Sequence, residues 1–95
     1  MEFDFKGQTA VVTGGTRGIG RAVSEAFLKA GAKVIATYRS NEEEAKKFTE
    51  ANVAYAECLD IYKFDVTSYD EVENFYKEVE NKHGALQIVV VSSGI

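Results

Sequence analysis

The sequence predicts an α/β fold, a doubly wound parallel sheet in the order 3-2-1-4 set between helices in a three-layer α/β/α arrangement. Two observations lead there. Short apolar runs alternate with segments whose apolar residues recur at helical spacing, which is the pattern of successive βαβ units. The first apolar run also passes directly into a glycine-rich turn and then a helical segment, Thr13-Gly14-Gly15-Thr16-Arg17-Gly18-Ile19-Gly20. Right-handed crossovers then place the first two helices on one face and the third on the other. The chain changes direction between strands one and four, and ligands bind at the C-terminal ends of such strands.

The elements follow in order. Thr9 to Thr13 reads as strand one, and helix one runs from Gly18 to Ala30 with Ala22, Val23, Ala26 and Phe27 on its apolar face. Gly31 is placed to end it as a C′ glycine. Lys33 to Thr37 reads as strand two. Helix two begins at the N-cap Asn41, with Glu42, Glu43 and Glu44 at its positive end. For Asn52 to Cys58 three readings stand: a continued helix, a loop, or a short strand at Val53 to Tyr55. Strand three spans Leu59 to Phe64. Ser68-x-x-Glu71 is a capping-box pattern for helix three, in which Tyr69, Val72, Phe75, Tyr76 and Val79 share a face up to His83-Gly84. Ile88 to Val91 is apolar on both faces, as in the buried middle of a parallel sheet.

The glycines of the turn have mechanical reasons. Gly14 lets the chain leave the strand where a Cβ would obstruct it. Gly18 allows close approach of backbone to a ligand, and Gly20 lets the first helical turn pack on the strand. The amides around Ile19 are unpaired helix-start donors that an anion such as a nucleotide diphosphate can satisfy. A plain strand-to-helix turn without a ligand is the alternative. A P-loop is excluded, because no Gly-Lys-Ser/Thr follows.

Bulk properties narrow the function classes. Ninety-five residues make at most one small domain, residues 1–95. A net charge of -4 without a basic stripe argues against nucleic acid. Cys58 is alone, so no internal disulfide forms, as expected in a reducing cytoplasm. Met1 to Lys6 lacks the features of a signal peptide, and no apolar stretch approaches transmembrane length. The expectation is a cytoplasmic protein with no membrane partner. With one histidine and one cysteine, a protein-held metal is not expected. His83 reads as a C-terminal dipole partner of helix three.

At Thr13-Gly14-x-x-x-Gly18-Ile19-Gly20 the chain resembles the short-chain dehydrogenase/reductase family. TGGTRGIG is similar to the version found in 3-oxoacyl-acyl-carrier-protein reductases. The resemblance runs from Lys6 to Ile95 and implies the first half of a Rossmann-type fold: one truncated NAD(P)-binding domain that holds the cofactor on Gly14, Gly15, Thr16, Arg17, Gly18, Ile19 and Gly20. The end of strand two meets the adenosine ribose in such folds, where an acid favours NAD and an arginine accommodates the 2′-phosphate of NADP. Thr37, Arg39 and Ser40 stand there, with no acid until Glu42. Arg17 and Arg39 suit bidentate bonding to a phosphate, so NADP is expected over NAD. Two solvated surface arginines are the alternative.

The resemblance further implies that Asp65 accepts from the adenine amino group while the Val66 amide reaches a ring nitrogen. Asp65 would serve equally as a cap for helix three. Val91-Ser92-Ser93-Gly94 takes the place of the family's Asn-Asn-Ala-Gly segment. Gly94 matches, the Ser92 backbone keeps its place along the ribose, and Val91 replaces an asparagine that ties the central strands together.

The family's catalytic serine and Tyr-x-x-x-Lys pair have no match before Ile95. Tyr38, Tyr55, Tyr62, Tyr69 and Tyr76 each lack a lysine four residues on, so no catalytic residue is assigned. The expected function is the NADP-binding half of an oxidoreductase, inactive alone. The alternative is an engineered or fragmentary self-assembling module with a vestigial nucleotide loop. Either way an apolar fourth strand with an open edge and an uncovered sheet face beside helix three predict a homo-oligomer.

Overall fold

The computed structural model describes residues 6–14, 16, 18–63 and 67–91. Its elements are β1 (Thr9–Thr13), α1 (Gly18–Lys29), β2 (Lys33–Tyr38), α2 (Glu42–Ala51), a 3₁₀ segment (Val53–Cys58), β3 (Leu59–Lys63), α3 (Tyr69–His83) and β4 (Ile88–Val91). The sheet is parallel throughout, in the predicted order β3-β2-β1-β4. Val11 lies beside Ile35 and Val89, Thr13 beside Val91, and Tyr38 beside Lys63.

β1 is rich in β-branched residues and buried along its whole length, as a strand paired on both edges requires. Strand alternation sorts the core into two layers. Val11 and Ile35 point to one face and pack with Phe75 and Val79 of α3. Val12, Val34 and Ala36 point to the other and meet Leu28 of α1 and Phe48 of α2. Each fully buried Val, Ile or Phe contributes about 1.5–3 kcal/mol. The two faces carry the helices expected of right-handed crossovers.

Local signals act as read. Gly31 adopts φ 95° beyond α1. The Asn41 Oδ1 accepts from the Glu44 amide at 3.1 Å, and the Ser68 Oγ from the Glu71 amide at 3.4 Å.

Four expectations are corrected. The buried stripe of α1 is Gly20, Ser24 and Leu28, flanked by half-buried Val23 and Phe27, while Ala22 and Ala26 face solvent. Ser24 can lie inward because its hydroxyl donates to the Gly20 carbonyl at 2.9 Å, so no polar group is left unpaired. Asn52 to Cys58 is neither α-helix, loop nor strand. Its 3₁₀ turn starts after Asn52, whose side chain is turned inward onto the end of α2. Tyr69 is 80% exposed, off the buried face of α3. β4 lies at the sheet edge, as the predicted order requires. Val89 and Val91 are nevertheless exposed, against the burial expected of a run apolar on both faces, because α3 packs over Val11 and Ile35 and leaves this part of the face open among the described residues.

Candidate functional site

A parallel sheet brings all its strand ends to one edge. Here Thr13, Tyr38, Lys63 and Val91 close β1, β2, β3 and β4, and α1 begins just beyond β1. The turn after β1 therefore stands beside the Arg39–Ser40 turn after β2.

Gly14 takes φ 68° and Gly18 φ 58°, the left-handed region that favours glycine. Nothing lies within 4 Å of where a Gly18 Cβ would be, so space beside the start of α1 is open. Ile19 is 80% exposed at that start, whereas Gly20 is buried against the sheet. Thr16 is also buried, at 2% exposure. The Gly14 amide donates to the Thr37 hydroxyl oxygen at 3.3 Å, and Thr37 itself is buried. Thr37 thus braces the glycine turn from β2. On the other side, the Thr13 hydroxyl donates to the Val90 carbonyl at 3.4 Å.

Arg39 and Ser40 are exposed, and the Ser40 carbonyl accepts from the Glu42 amide at 3.0 Å. Glu42 forms an ion pair with Lys63. That lysine's hydrogen bond and charge hold the Glu42 carboxyl below its usual range, and Glu42 in turn raises the Lys63 ammonium. Sequence reasoning passed over Lys63. The lysine is visible in the sequence, but its neighbour is set by the register of β3 on β2. The structure thus gathers Gly14, Thr16, Gly18, Ile19, Gly20, Thr37, Arg39 and Ser40 at one end of the sheet. The roles read for Gly15, Arg17, Asp65, Val66, Ser92 and Gly94 lie outside the described residues.

Other features lie elsewhere. One groove of ≈ 240 Å³ runs between Thr49, Asn52, Val53, Ala56, Leu59 and Ile61. A second, ≈ 280 Å³, lies at the opposite end of the strands, where Lys82 Nζ and His83 Nε2 reach Asp60 Oδ2 at 2.9 and 3.0 Å. His83 does end α3 as read, but its ring engages this carboxylate. Neither groove adjoins the glycine turn. Among the described residues no cluster of His, Cys, Asp and Glu could hold a metal ion, and no helix is long and apolar enough to cross a membrane.

Comparison with known proteins agrees with this geometry. Residues 8–95 match the family model for short chain dehydrogenase. The chain is 39% identical over 88 residues to acetoacetyl-CoA reductase of Paracoccus denitrificans, covering 93% of this chain and 34% of that protein. It is 36% identical over 92 residues to L-rhamnose 1-dehydrogenase (NADP(+)) of Thermoplasma acidophilum, covering 97% and 36%. A solved short-chain dehydrogenase/reductase from Brucella melitensis superposes with a TM-score of 0.87 at 33% identity, over 100% of this chain and 40% of that one. The chain thus spans about a third of the length of these curated relatives. With the glycine turn, the strand order and a family match from residue 8 to residue 95 in agreement, the chain belongs to the short-chain dehydrogenase family.

Proposed function

We propose that this chain is the NADP-binding part of a short-chain reductase whose complete form moves hydride between NADPH and the carbonyl carbon of a 3-oxoacyl thioester. The observation that carries this reading is the shared sheet edge: the glycine turn and the start of α1 stand beside Arg39 and Ser40. The residues fit the cofactor. Positive-φ glycines and open space at Gly18 leave room for a diphosphate against the helix-start amides. Arg39 and Ser40 would hold the 2′-phosphate, and Arg17 would add a second guanidinium. Asp65 and Val66 would meet the adenine, and the backbone of Ser92 and Gly94 the ribose nearer the nicotinamide. The cofactor supplies the hydride, and the residues of this segment bind and orient it. The names of the relatives, a CoA-ester reductase and an NADP(+) dehydrogenase, support the cofactor and the substrate class.

Titration of NADPH and NADH against the chain, repeated with Arg39→Ala, tests this. Preference for NADPH that falls by about tenfold or more on mutation, with NADH binding unchanged, supports it. Equal binding of both cofactors to the unmutated chain refutes the NADP assignment.

A second reading concerns assembly. Val89 and Val91 are 49% and 71% exposed on an edge strand, and an open apolar edge is a template for pairing. We infer that a second copy covers β4 in a two-fold dimer. Sedimentation as a monomer at high micromolar concentration refutes it, and Val89→Lys should shift a dimer toward monomer.

A further inference from the structure

Lys63 is the last residue of β3 and pairs in register with Tyr38, the last residue of β2. Its ammonium reaches the carboxylate of Glu42, the first residue of α2. The ion pair therefore spans the turn Arg39-Ser40-Asn41. Backbone and cap bonds secure the same turn, from the Glu42 amide to the Ser40 carbonyl at 3.0 Å and from the Glu44 amide to Asn41 Oδ1 at 3.1 Å.

Glu42 is the first carboxylate after β2. A carboxylate near that strand end suits a ribose 2′-hydroxyl and repels a 2′-phosphate. Its presence three residues beyond Arg39 works against the phosphate unless its charge is met. Lys63 meets it. Both side chains are at least half exposed, at 50% and 65%, so the pair adds little to folding stability. Its consequence lies in the local field that a doubly charged phosphate would enter.

We propose that Lys63 is a positioning residue that sets nucleotide specificity, holding the Glu42 carboxylate toward β3 and cancelling its charge beside the Arg39–Ser40 turn. This rests on the reading of that turn as the 2′-phosphate contact. Lys63 acts through Glu42, and its effect falls on ligands that carry the extra phosphate and spares those that lack it.

The test uses the adenosine half of the cofactor, with adenosine 2′,5′-bisphosphate and AMP titrated by calorimetry against the full chain. Lys63→Gln is expected to weaken the bisphosphate about tenfold while leaving AMP within about twofold. Adding Glu42→Gln to Lys63→Gln should return the bisphosphate to within about threefold of the unmutated chain, since the two residues are coupled. Lys63→Met repeats the measurement with a second neutral side chain, and circular dichroism checks that each variant is folded. A bisphosphate preference unchanged by both Lys63 variants overturns the role of Lys63 and leaves the Arg39 reading standing. So does a loss equal for both nucleotides, which is a structural effect. If the unmutated chain does not prefer the bisphosphate, the phosphate reading falls and this inference with it.

Discussion

The Gly14 amide donates to the Thr37 hydroxyl across 3.3 Å, which joins the turn after β1 to the penultimate residue of β2. The two strands are already paired, with Val12 beside Ala36. This bond extends the pairing one step past the ladder, into the turn. It settles where the glycine turn starts relative to Arg39, two residues on and just past the end of β2. A buried threonine on a strand is easily taken for a packing residue, yet here its oxygen positions the candidate site.

Thr37→Val keeps the shape and β-propensity but removes the acceptor. The Gly14 amide then loses its partner, which should cost about 1 kcal/mol. Thermal unfolding should shift down by roughly 4–8 °C for a domain of this size. Nucleotide affinity should fall with it, measured by titration well below the midpoint. Unchanged affinity would mean that the turn holds its conformation without β2.

Gly18→Ala tests the backbone in isolation. No neighbouring atom would meet the new Cβ, so any cost comes from φ 58°. For an alanine in the left-handed region that is about 1–2 kcal/mol. Gly18→Asn should cost less, since asparagine tolerates this conformation better. Urea denaturation of the two variants gives the comparison, and equal costs would point to contact instead of backbone strain.

Asn52 is buried, and its amide donates to Glu25 Oε2 at 2.8 Å and to the Phe48 carbonyl at 2.9 Å. The bond from Asn52, aided by Arg21 and Lys29, outweighs burial and holds the Glu25 carboxyl below its usual range. One side chain thereby joins α1 to the end of α2. Asn52→Ala should destabilise by about 1–3 kcal/mol, because it strands a buried carbonyl. A change below about 0.5 kcal/mol in urea unfolding would show that water replaces both bonds without cost.

Asp60 links β3 to the end of α3. Burial pushes its carboxyl up, but the hydrogen bonds and charges of Lys82 and His83 outweigh burial and leave it lowered. A carboxyl lowered on folding contributes stability that is complete above its unfolded value near 3.8 and is lost as the pH falls through the lower folded value. Unfolding free energy should therefore decline on the acid side, below about pH 5. Asp60→Asn should lower stability at pH 7 by about 1 kcal/mol and flatten that acid limb. An acid limb of unchanged slope in the variant would assign the decline to other carboxylates.

Much of this protein was legible from the sequence. Periodicity separates strands from helices because a strand exposes alternate residues and a helix every third or fourth. Glycines mark the turns because few other residues accept positive φ. The strand order came from the usual doubly wound arrangement that the strand, glycine turn and helix point to, and the handedness of crossovers then gave the faces carrying α1, α2 and α3. They also located the glycine turn, Arg39 and Ser40 at one end of the sheet.

The inward turn of Ser24 escaped them, because a hydroxyl bonded to its own helix behaves as a small buried residue. So did the 3₁₀ path of Val53–Cys58, which depends on where the Asn52 side chain finds its partners. The relations that shape the site belong to tertiary structure alone. Gly14 with Thr37 and Glu42 with Lys63 are each separated by more than twenty residues in sequence. Only the register of neighbouring strands brings them together, and register is a property of the assembled sheet.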